Sequence, residues 1–172
     1  AYILDLPLVG VSHLDAHIAS AWLKDPQFPL PCIVLVVSGG HTHLYRRERQ
    51  GMNYLLGCTR DDAAGEAFDK GAQMLGLGCP GGPALDRLAQ TGNPSMISFP
   101  RTSLKKSSLE FSFSGLKTAL LYKLQAMSET ERARHRADVA AGYQEAIVTV
   151  LADKAFTAVE RSQIRSLAVV GG

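Results

Sequence analysis

The fold is decided by the stretch Ile33-Val34-Leu35-Val36-Val37-Ser38-Gly39-Gly40-His41-Thr42. Its first five residues are apolar and mostly β-branched, which is typical of a strand buried on both faces of a sheet. Two glycines then turn the chain, and Thr42-His43-Leu44-Tyr45 alternates as a return strand. We therefore expect a buried strand, a glycine turn and an antiparallel neighbour.

The segments on either side of this stretch predict an α/β domain. Ser12 can cap a helix from His13 to Leu23, and the three prolines within 25–31 then interrupt regular structure as a linker. Apolar periodicity and turn residues predict the remaining elements. These are a third strand at Met52–Leu56, helices at Asp62–Leu75, Ala84–Ala89, Ser114–Gln125 (capped by Ser114) and Val139–Arg161, another helix opening at the capping box Ser128–Glu131, and a last strand at Leu167–Val170.

Length and composition indicate one globular domain. The 172 residues are 46% hydrophobic and 20% charged, and a net charge of +2 neither indicates nor excludes a nucleic-acid partner. Cys32, Cys58 and Cys79 form no Cys-x-x-Cys pair, which argues against a disulfide framework or a thiolate zinc site. Without a signal peptide or a bilayer-length apolar run, we expect a cytoplasmic protein. The start without Met and the Gly-Gly end indicate a piece of a longer chain.

Two histidines one helical turn apart suggest a metal site. His13 and His17 lie at i and i+4, so both imidazoles can reach one ion, although surface or capping histidines at this spacing are an open alternative. A zinc protease would carry Glu directly after the first histidine. Here Leu14 stands in that place, and Asp15 projects roughly 200° away around the helix. The residues therefore argue against a protease.

Glycine turns suggest a site for a phosphate. The turn at Ser38–Thr42 can point backbone N–H groups at an anion without a Cβ in the way, although a simple hairpin turn explains it as well. It lacks the Lys-Ser/Thr of a P-loop. The loop Cys79–Pro83, followed by Asp86, offers a second exposed backbone beside a carboxylate, or else a rigid turn.

Acidic and small residues cluster at the start of the helix predicted from Asp62. Asp62, Glu66 and Asp69 can reach ribose hydroxyls, or can simply complement the helix dipole. The small residues 63–65 imply that another part of the protein packs closely on this turn.

The order of these motifs resembles the TsaD family, the tRNA N6-adenosine threonylcarbamoyltransferases once described as sialoglycoprotein endopeptidases. The resemblance covers essentially the whole chain and is bacterial in type. The motifs that carry it are His-x-x-x-His, Val-Ser-Gly-Gly-His-Thr, Asp-Asp-Ala-Ala-Gly-Glu-Ala-Phe-Asp-Lys, Pro-Gly-Gly-Pro, Phe-Ser-Phe-Ser-Gly-Leu-Lys-Thr and the terminal Gly-Gly.

The resemblance implies an α/β protein with the actin-like ATPase (ASKHA) fold, truncated at both ends. Residues 1–29 would end the first lobe and carry the metal-binding helix. Residues 30–172 would form the second lobe, with a helical insertion and an incomplete C-terminus. A third metal ligand, an Asp, and a substrate-binding Asn would lie beyond Gly172. We therefore expect this piece alone to bind metal weakly and to transfer nothing.

The activity implied by the resemblance is acyl transfer. A threonylcarbamoyl group would pass from threonylcarbamoyl-AMP to N6 of the adenosine 3′ of the anticodon in tRNA, assisted by an inactive paralogue and a small ATPase, with no membrane involved. His13 and His17 would hold one divalent metal ion, Fe²⁺ or Zn²⁺. The general base is unassigned, with Asp15 and the pair Asp61/Asp62 as candidates. The residues implied in substrate binding are Val36, Val37, Ser38, Gly39, Gly40, Asp69, Gly82 and Asp86.

Three other functions stay open at this point. A small-molecule phosphotransferase of the same superfamily would use Mg²⁺ rather than a histidine-bound metal. A glycoprotein-cleaving metallopeptidase is disfavoured by Leu14. A silent paralogue that stabilises a partner is disfavoured by the presence of both His13 and His17.

Overall fold

A computed structural model describes residues 2–100 and 107–172. A short 3-10 turn at Tyr2–Leu4 precedes the first helix. No helix in these two ranges is both long and apolar enough to cross a membrane. The elements that follow are α1 (His13–Lys24), β1 (Cys32–Val37), β2 (Thr42–Arg49), β3 (Met52–Cys58), α2 (Ala64–Met74), α3 (Gly81–Ala89), α4 (Ser114–Ala126), α5 (Glu129–Ser162) and β4 (Leu167–Gly171).

The four strands form one mixed sheet in the order β3-β2-β1-β4. Val34 of β1 lies opposite Tyr45 of the antiparallel β2 and opposite Ala168 of the parallel β4. The carboxyl ends of β1 and β4 therefore meet at one edge, where Val37 lies opposite Gly171. In open α/β sheets this is the edge at which ligands bind.

The central strand β1 is buried on both faces, as its apolar run predicts. Ile33 and Leu35 pack into the core formed with helices α2 to α5. Val34 and Val36 pack on the other face, where Ile18 of α1 is fully buried. Because successive side chains of a strand point to opposite faces, β1 joins the two apolar clusters into one three-layer structure.

One long helix, α5, spans the helical layer. The hydroxyl of Ser128 accepts from the Glu131 N–H at 3.3 Å, and the Glu131 carboxylate accepts from the Ser128 N–H at 2.8 Å. The sequence pattern predicts two helices here, one opening at Ser128 and one from Val139, and this is wrong. The residues between them contain neither Gly nor Pro, so nothing breaks the helix.

Two helices begin at other residues than the sequence pattern predicts. Helix α2 begins at Ala64 rather than Asp62, whose carbonyl accepts from the Thr59 hydroxyl at 2.6 Å in the turn before the helix. Helix α3 begins at Gly81 rather than Ala84. Pro83 therefore lies in the first turn of α3, where a proline is tolerated because its missing N–H would have no partner there.

The proline-rich residues 25–31 form an irregular link between α1 and β1. The Trp22 indole donates to the Phe28 carbonyl at 3.0 Å, and the two rings meet edge-on with their centroids 5.7 Å apart. The link therefore folds back on α1. The assignment of residues 1–29 and 30–172 to separate lobes stays a prediction.

We expect the substitution Gly71→Ala to destabilise the helical layer. A Cβ on Gly71 of α2 would overlap the ring of Tyr143 of α5, which is fully buried and donates its hydroxyl to the Ala67 carbonyl at 3.0 Å. Overpacking of this kind lowers the free energy of unfolding by about 1–3 kcal/mol, measurable by urea denaturation. The control is Gly115→Ala in α4, whose Cβ would meet no atom within 4 Å. Equal stability of the two variants would contradict this packing.

Candidate substrate and metal site

The histidine pair stands at the exposed start of α1. Ser12 caps this helix, its hydroxyl accepting from the Asp15 N–H at 3.3 Å. The Nε2 atoms of His13 and His17 lie 3.0 Å apart, with the rings edge-on. Two imidazole nitrogens bound to one zinc ion at about 2.0–2.1 Å each would lie roughly 3.0–3.4 Å apart. The two side chains therefore fit as two ligands of one ion.

The carboxylate of Asp15 takes no part in this pair. Its Oδ1 accepts from the Asn53 side-chain amide of β3 at 2.7 Å, which agrees with the direction predicted from helix geometry. Across the two described ranges, no third His, Cys, Asp or Glu completes a metal-binding cluster. The metal site itself therefore stays a prediction.

A row of aromatic side chains runs from the histidine pair along β2. The ring centroids of His13 and His41 are 5.5 Å apart, as are those of His41 and His43. The Nδ1 of His43 lies 3.2 Å from the Tyr45 hydroxyl. Burial, assisted by the neighbouring His41, holds the pKa of His43 below its usual range, so this ring is neutral near pH 7. Since His41 directly follows Gly40, the row brings the glycine turn beside the histidine pair.

The glycine turn between β1 and β2 is closed by its own flanking residues. The Ser38 N–H donates to the His41 carbonyl at 2.8 Å, and the His41 N–H donates to the Ser38 hydroxyl at 3.1 Å. Gly39 and Gly40 are exposed, and a Cβ on either would meet open space. Within the part of the chain that the structure describes, neither glycine amide has a hydrogen-bond partner. Two free amides on an exposed turn are suited to binding an anion.

The N-terminus of α2 is docked onto this turn at two points. The Gly65 N–H donates to the Ser38 carbonyl at 3.3 Å, and the Ala64 N–H donates to the Thr42 hydroxyl at 2.8 Å. A Cβ on Gly65 would lie 2.6 Å from the Ser38 oxygen and 2.7 Å from the Gly39 Cα. Both are backbone atoms, so only glycine fits here without moving the turn. The small residues 63–65 are the sequence signal for this contact.

The candidate site continues from α2 to α3. Asp69 lies one helical turn after Gly65, and its Oδ1 accepts from the Gly82 N–H at 3.1 Å. Asp86 lies one further turn along α3, and its Oδ1 accepts from the Gln144 side chain at 2.9 Å. The structure thus links Asp69 and Gly82 directly and places Asp86 on the same helix as Gly82. None of the sequence motifs includes Gln144.

Two glycines, Gly171 at the end of β4 and Gly172 after it, lie beside the carboxyl end of β1. Gly171 has φ +133° and a Cβ there would overlap the Val37 carbonyl, so the position requires glycine. The Gly172 N–H donates to the same carbonyl at 3.2 Å. An open groove of about 720 Å³ borders Val37 and both glycines. Val36 is fully buried, so only its backbone can face a ligand.

Asp61, which lies more than 50 residues before helix α4 in the sequence, caps its N-terminus. Its Oδ1 accepts from the Phe113 N–H at 2.8 Å, and its Oδ2 accepts from the Ser112 and Ser114 hydroxyls at 2.5 and 2.9 Å. Ser114 is therefore not the N-cap predicted from sequence, because it is the first helical residue after Phe113. Although partial burial opposes ionisation, these donors hold the pKa of Asp61 below its usual range. The contacts favour a structural role for this carboxylate.

Asp62 is held by two lysines. Its oxygens accept from Lys117 of α4 at 2.5 Å and from Lys70 of α2 at 2.6 Å. Partial burial works against ionisation, but the two ammonium groups hold the pKa of Asp62 below its usual range. A carboxylate so engaged is a weak proton acceptor, and it joins the start of α2 to α4.

We expect Asp62→Asn to lower the free energy of unfolding by about 1–3 kcal/mol at pH 7, because an ionised acceptor is lost. The lowered pKa means that this stabilisation is present above the ordinary value near 3.8 and disappears as the pH falls through the folded-state value. The difference between wild type and variant therefore shrinks below about pH 4, as urea unfolding at several pH values would show. Glu145→Gln, on the exposed face of α5, is the control. If the difference in the free energy of unfolding between wild type and Asp62→Asn did not change with pH, Asp62 would not have a lowered pKa in the folded protein.

Solved structures show the fold of this chain. Component A of (R)-2-hydroxyglutaryl-CoA dehydratase from Acidaminococcus fermentans superposes with a TM-score of 0.55 at 17% identity, covering 94% of this chain and 53% of that one. The activator of 2-hydroxyisocaproyl-CoA dehydratase from Clostridium difficile gives a TM-score of 0.50 at 17% identity, covering 94% and 52%. Both have the actin-like ATPase fold, which confirms the predicted fold class.

Curated relatives named tRNA N6-adenosine threonylcarbamoyltransferase share much more of the sequence. The protein from Syntrophotalea carbinolica is 50% identical over 169 residues, which are 98% of this chain and 49% of the relative. That from Anaeromyxobacter dehalogenans is 53% identical over 166 residues, 96% and 49% of the two chains. That from Moorella thermoacetica is 50% identical over 172 residues, 100% and 50%. The chain spans about half the length of the curated relatives it matches.

The family model described as "TsaD: tRNA N6-adenosine threonylcarbamoyltransferase" matches residues 1–172. This match includes the histidine pair, the glycine turn between β1 and β2, the two glycines after β4 and the Asp69–Gly82 contact. With about half of the residues identical to those of curated relatives, it confirms the family inferred from the motifs: the chain belongs to the TsaD family.

Proposed function

We propose that the protein containing this chain transfers a threonylcarbamoyl group from threonylcarbamoyl-AMP to N6 of the adenosine 3′ of the anticodon in tRNA. The observation that carries the proposal is the 5.5 Å separation of the His13 and His41 rings, which brings the glycine turn beside the histidine pair. An anion-binding turn would hold the phosphate of an acyl adenylate, and a metal ion beside it would polarise the neighbouring carbonyl. The names of the curated relatives support the same activity.

The two free amides of Gly39 and Gly40 would receive the phosphate of the adenylate. Asp69 and Asp86 would accept hydrogen bonds from the ribose and adenine, because an ionised carboxylate acts only as an acceptor. The Gly82 N–H already donates to Asp69, so its part is to orient that carboxylate. Holding the adenylate at several points fixes its carbonyl carbon for attack, and such positioning supplies a large share of an acyl-transfer rate.

His13 and His17 would hold one Fe²⁺ or Zn²⁺ ion. The 3.0 Å separation of their Nε2 atoms supports this, and the remaining ligands would come from elsewhere in the full-length protein. When bound, such an ion polarises a carbonyl or neutralises a phosphate oxygen as a Lewis acid.

In the proposed reaction the N6 amine of adenosine attacks the carbamoyl carbon. A nitrogen–carbon bond forms, the carbon–oxygen bond to the phosphate breaks, AMP departs and the amine gives up one proton. The contacts of Asp61 and Asp62 disfavour them as the acceptor of that proton, and Asp15 is tied to Asn53. The proposal also includes an inactive paralogue and a small ATPase as assisting proteins. It places the reaction in the cytoplasm, and the three free cysteines agree with a reducing compartment.

The first test removes the histidine pair. In the full-length protein, with synthetic threonylcarbamoyl-AMP and unmodified tRNA, we expect His13→Ala and His17→Ala each to lower transfer at least about 100-fold, because the loss of a metal ligand removes the Lewis acid. Metal content, measured by mass spectrometry, should fall with activity. The control is His135→Ala on α5, where the ring pairs with Asp138 at 3.1 Å.

Two results would overturn this part of the proposal. Normal transfer by both α1 histidine variants would remove the metal from the mechanism. A wild-type protein that transferred the γ-phosphate of ATP to a small molecule, and no threonylcarbamoyl group to tRNA, would favour the phosphotransferase instead.

The second test displaces the glycine turn. Gly65→Ala places a Cβ against the Ser38 carbonyl, so we expect the KM for threonylcarbamoyl-AMP to rise about tenfold or more as the free amides move. Gly115→Ala adds the same methyl group in open space and should leave KM unchanged. If the two variants had the same KM, the turn would not contact the adenylate.

A further inference from the structure

We infer that Gln144 is a positioning residue for the adenylate, acting through Asp86. The inference rests on the proposed function, because it takes the Asp86 carboxylate to contact the nucleotide. What it adds is a residue of α5 that no sequence motif singled out and that fixes the direction of this carboxylate.

Both oxygens of Asp86 are held by side-chain amides. The Gln144 Nε2 donates to Oδ1 at 2.9 Å, and the Gln90 Nε2 donates to Oδ2 at 3.0 Å. A carboxylate offers about four acceptor positions, so one remains on each oxygen. Two acceptors about 2.2 Å apart, held in a fixed plane, suit the neighbouring hydroxyls of a ribose.

The side-chain amides of Gln90 and Gln144 differ in how firmly they can hold the Asp86 carboxylate in one direction. Gln90 lies one turn after Asp86, at the end of the same helix, and its exposed side chain moves with α3. Gln144 reaches Asp86 from α5, 58 residues away, and is partly buried. Of the two, Gln144 therefore ties the carboxylate to a second element of the core, and so sets its direction relative to the rest of the protein.

The other end of the Gln144 amide carries a cost in stability. Its Oε1 is buried and has no hydrogen-bond partner within residues 2–100 and 107–172. An acceptor buried without a partner carries a desolvation cost, which an apolar side chain of the same length would not have. The reversed amide would turn Oε1 toward the Asp86 carboxylate, where two acceptors repel, so the orientation is set by Asp86.

The test uses Gln144→Met, which keeps the length of the side chain and removes the donor and the buried acceptor together. In the full-length protein we expect the KM for threonylcarbamoyl-AMP to rise about tenfold, with kcat within about twofold of wild type, since binding and not chemistry is affected. The melting temperature should stay equal or rise. Gln125→Met, on the exposed face of α4, is the matched control and should change neither.

A double-mutant cycle separates positioning from a general structural effect. If Gln144 acts through Asp86, Gln144→Met should raise KM no further in an Asp86→Ala background, which lacks the acceptor. Additive effects would overturn the inference. So would an unchanged KM in the Gln144→Met single variant, a result that does not depend on whether Asp86→Ala folds. A wild-type protein that did not transfer from threonylcarbamoyl-AMP would instead overturn the proposed function, so the two failures are distinguishable.

Discussion

The docking of the α2 N-terminus onto the glycine turn is the constraint on which the rest of the candidate site depends. Gly65 and Ala64 donate to the Ser38 carbonyl and the Thr42 hydroxyl, on either side of the two glycines. The first N–H groups of a helix lack partners within the helix, and here the turn supplies them. The helix packs on the turn with no room for a Cβ at Gly65, while the exposed amides of Gly39 and Gly40 have no hydrogen-bond partner among the described residues.

The other groups of the candidate site are arranged around this contact between α2 and the glycine turn. The first residue after the turn, His41, reaches toward the histidine pair of α1. One helical turn beyond Gly65, Asp69 holds the start of α3 through the Gly82 amide. On the far side, Gly171 and Gly172 pack on the Val37 carbonyl at the edge shared by two parallel strands. Groups from α1, α2, β4 and the glycine turn thus lie at or beside the carboxyl ends of β1 and β4, where an α/β sheet leaves space for a ligand.

Local patterns predict much of this arrangement, and long-range contacts account for what they miss. The apolar run of β1 and the helical spacing of the α1 histidines depend on near neighbours, and both are confirmed. The start of α4 at Ser114 is predicted, but its cap is not, because the capping carboxylate belongs to Asp61, 53 residues earlier in the chain. The tight packing at Gly65 was visible in the small residues 63–65, although its partner was not. Gln144 has no local signal at all, because its role comes only from the packing of α5 against α3.

The carboxylates of the candidate site fall into two groups by their donors. Asp61 and Asp62 accept from hydroxyls, backbone amides and ammonium groups that join α2 to α4, and these contacts keep them ionised. Among the described residues, the donors to Asp69 and Asp86 are amides, which orient a carboxylate without neutralising its charge. A carboxylate that is oriented but not paired with a cation keeps its capacity to accept from a ligand. The donors therefore separate the acids that hold the helices together from those that can hold a nucleotide.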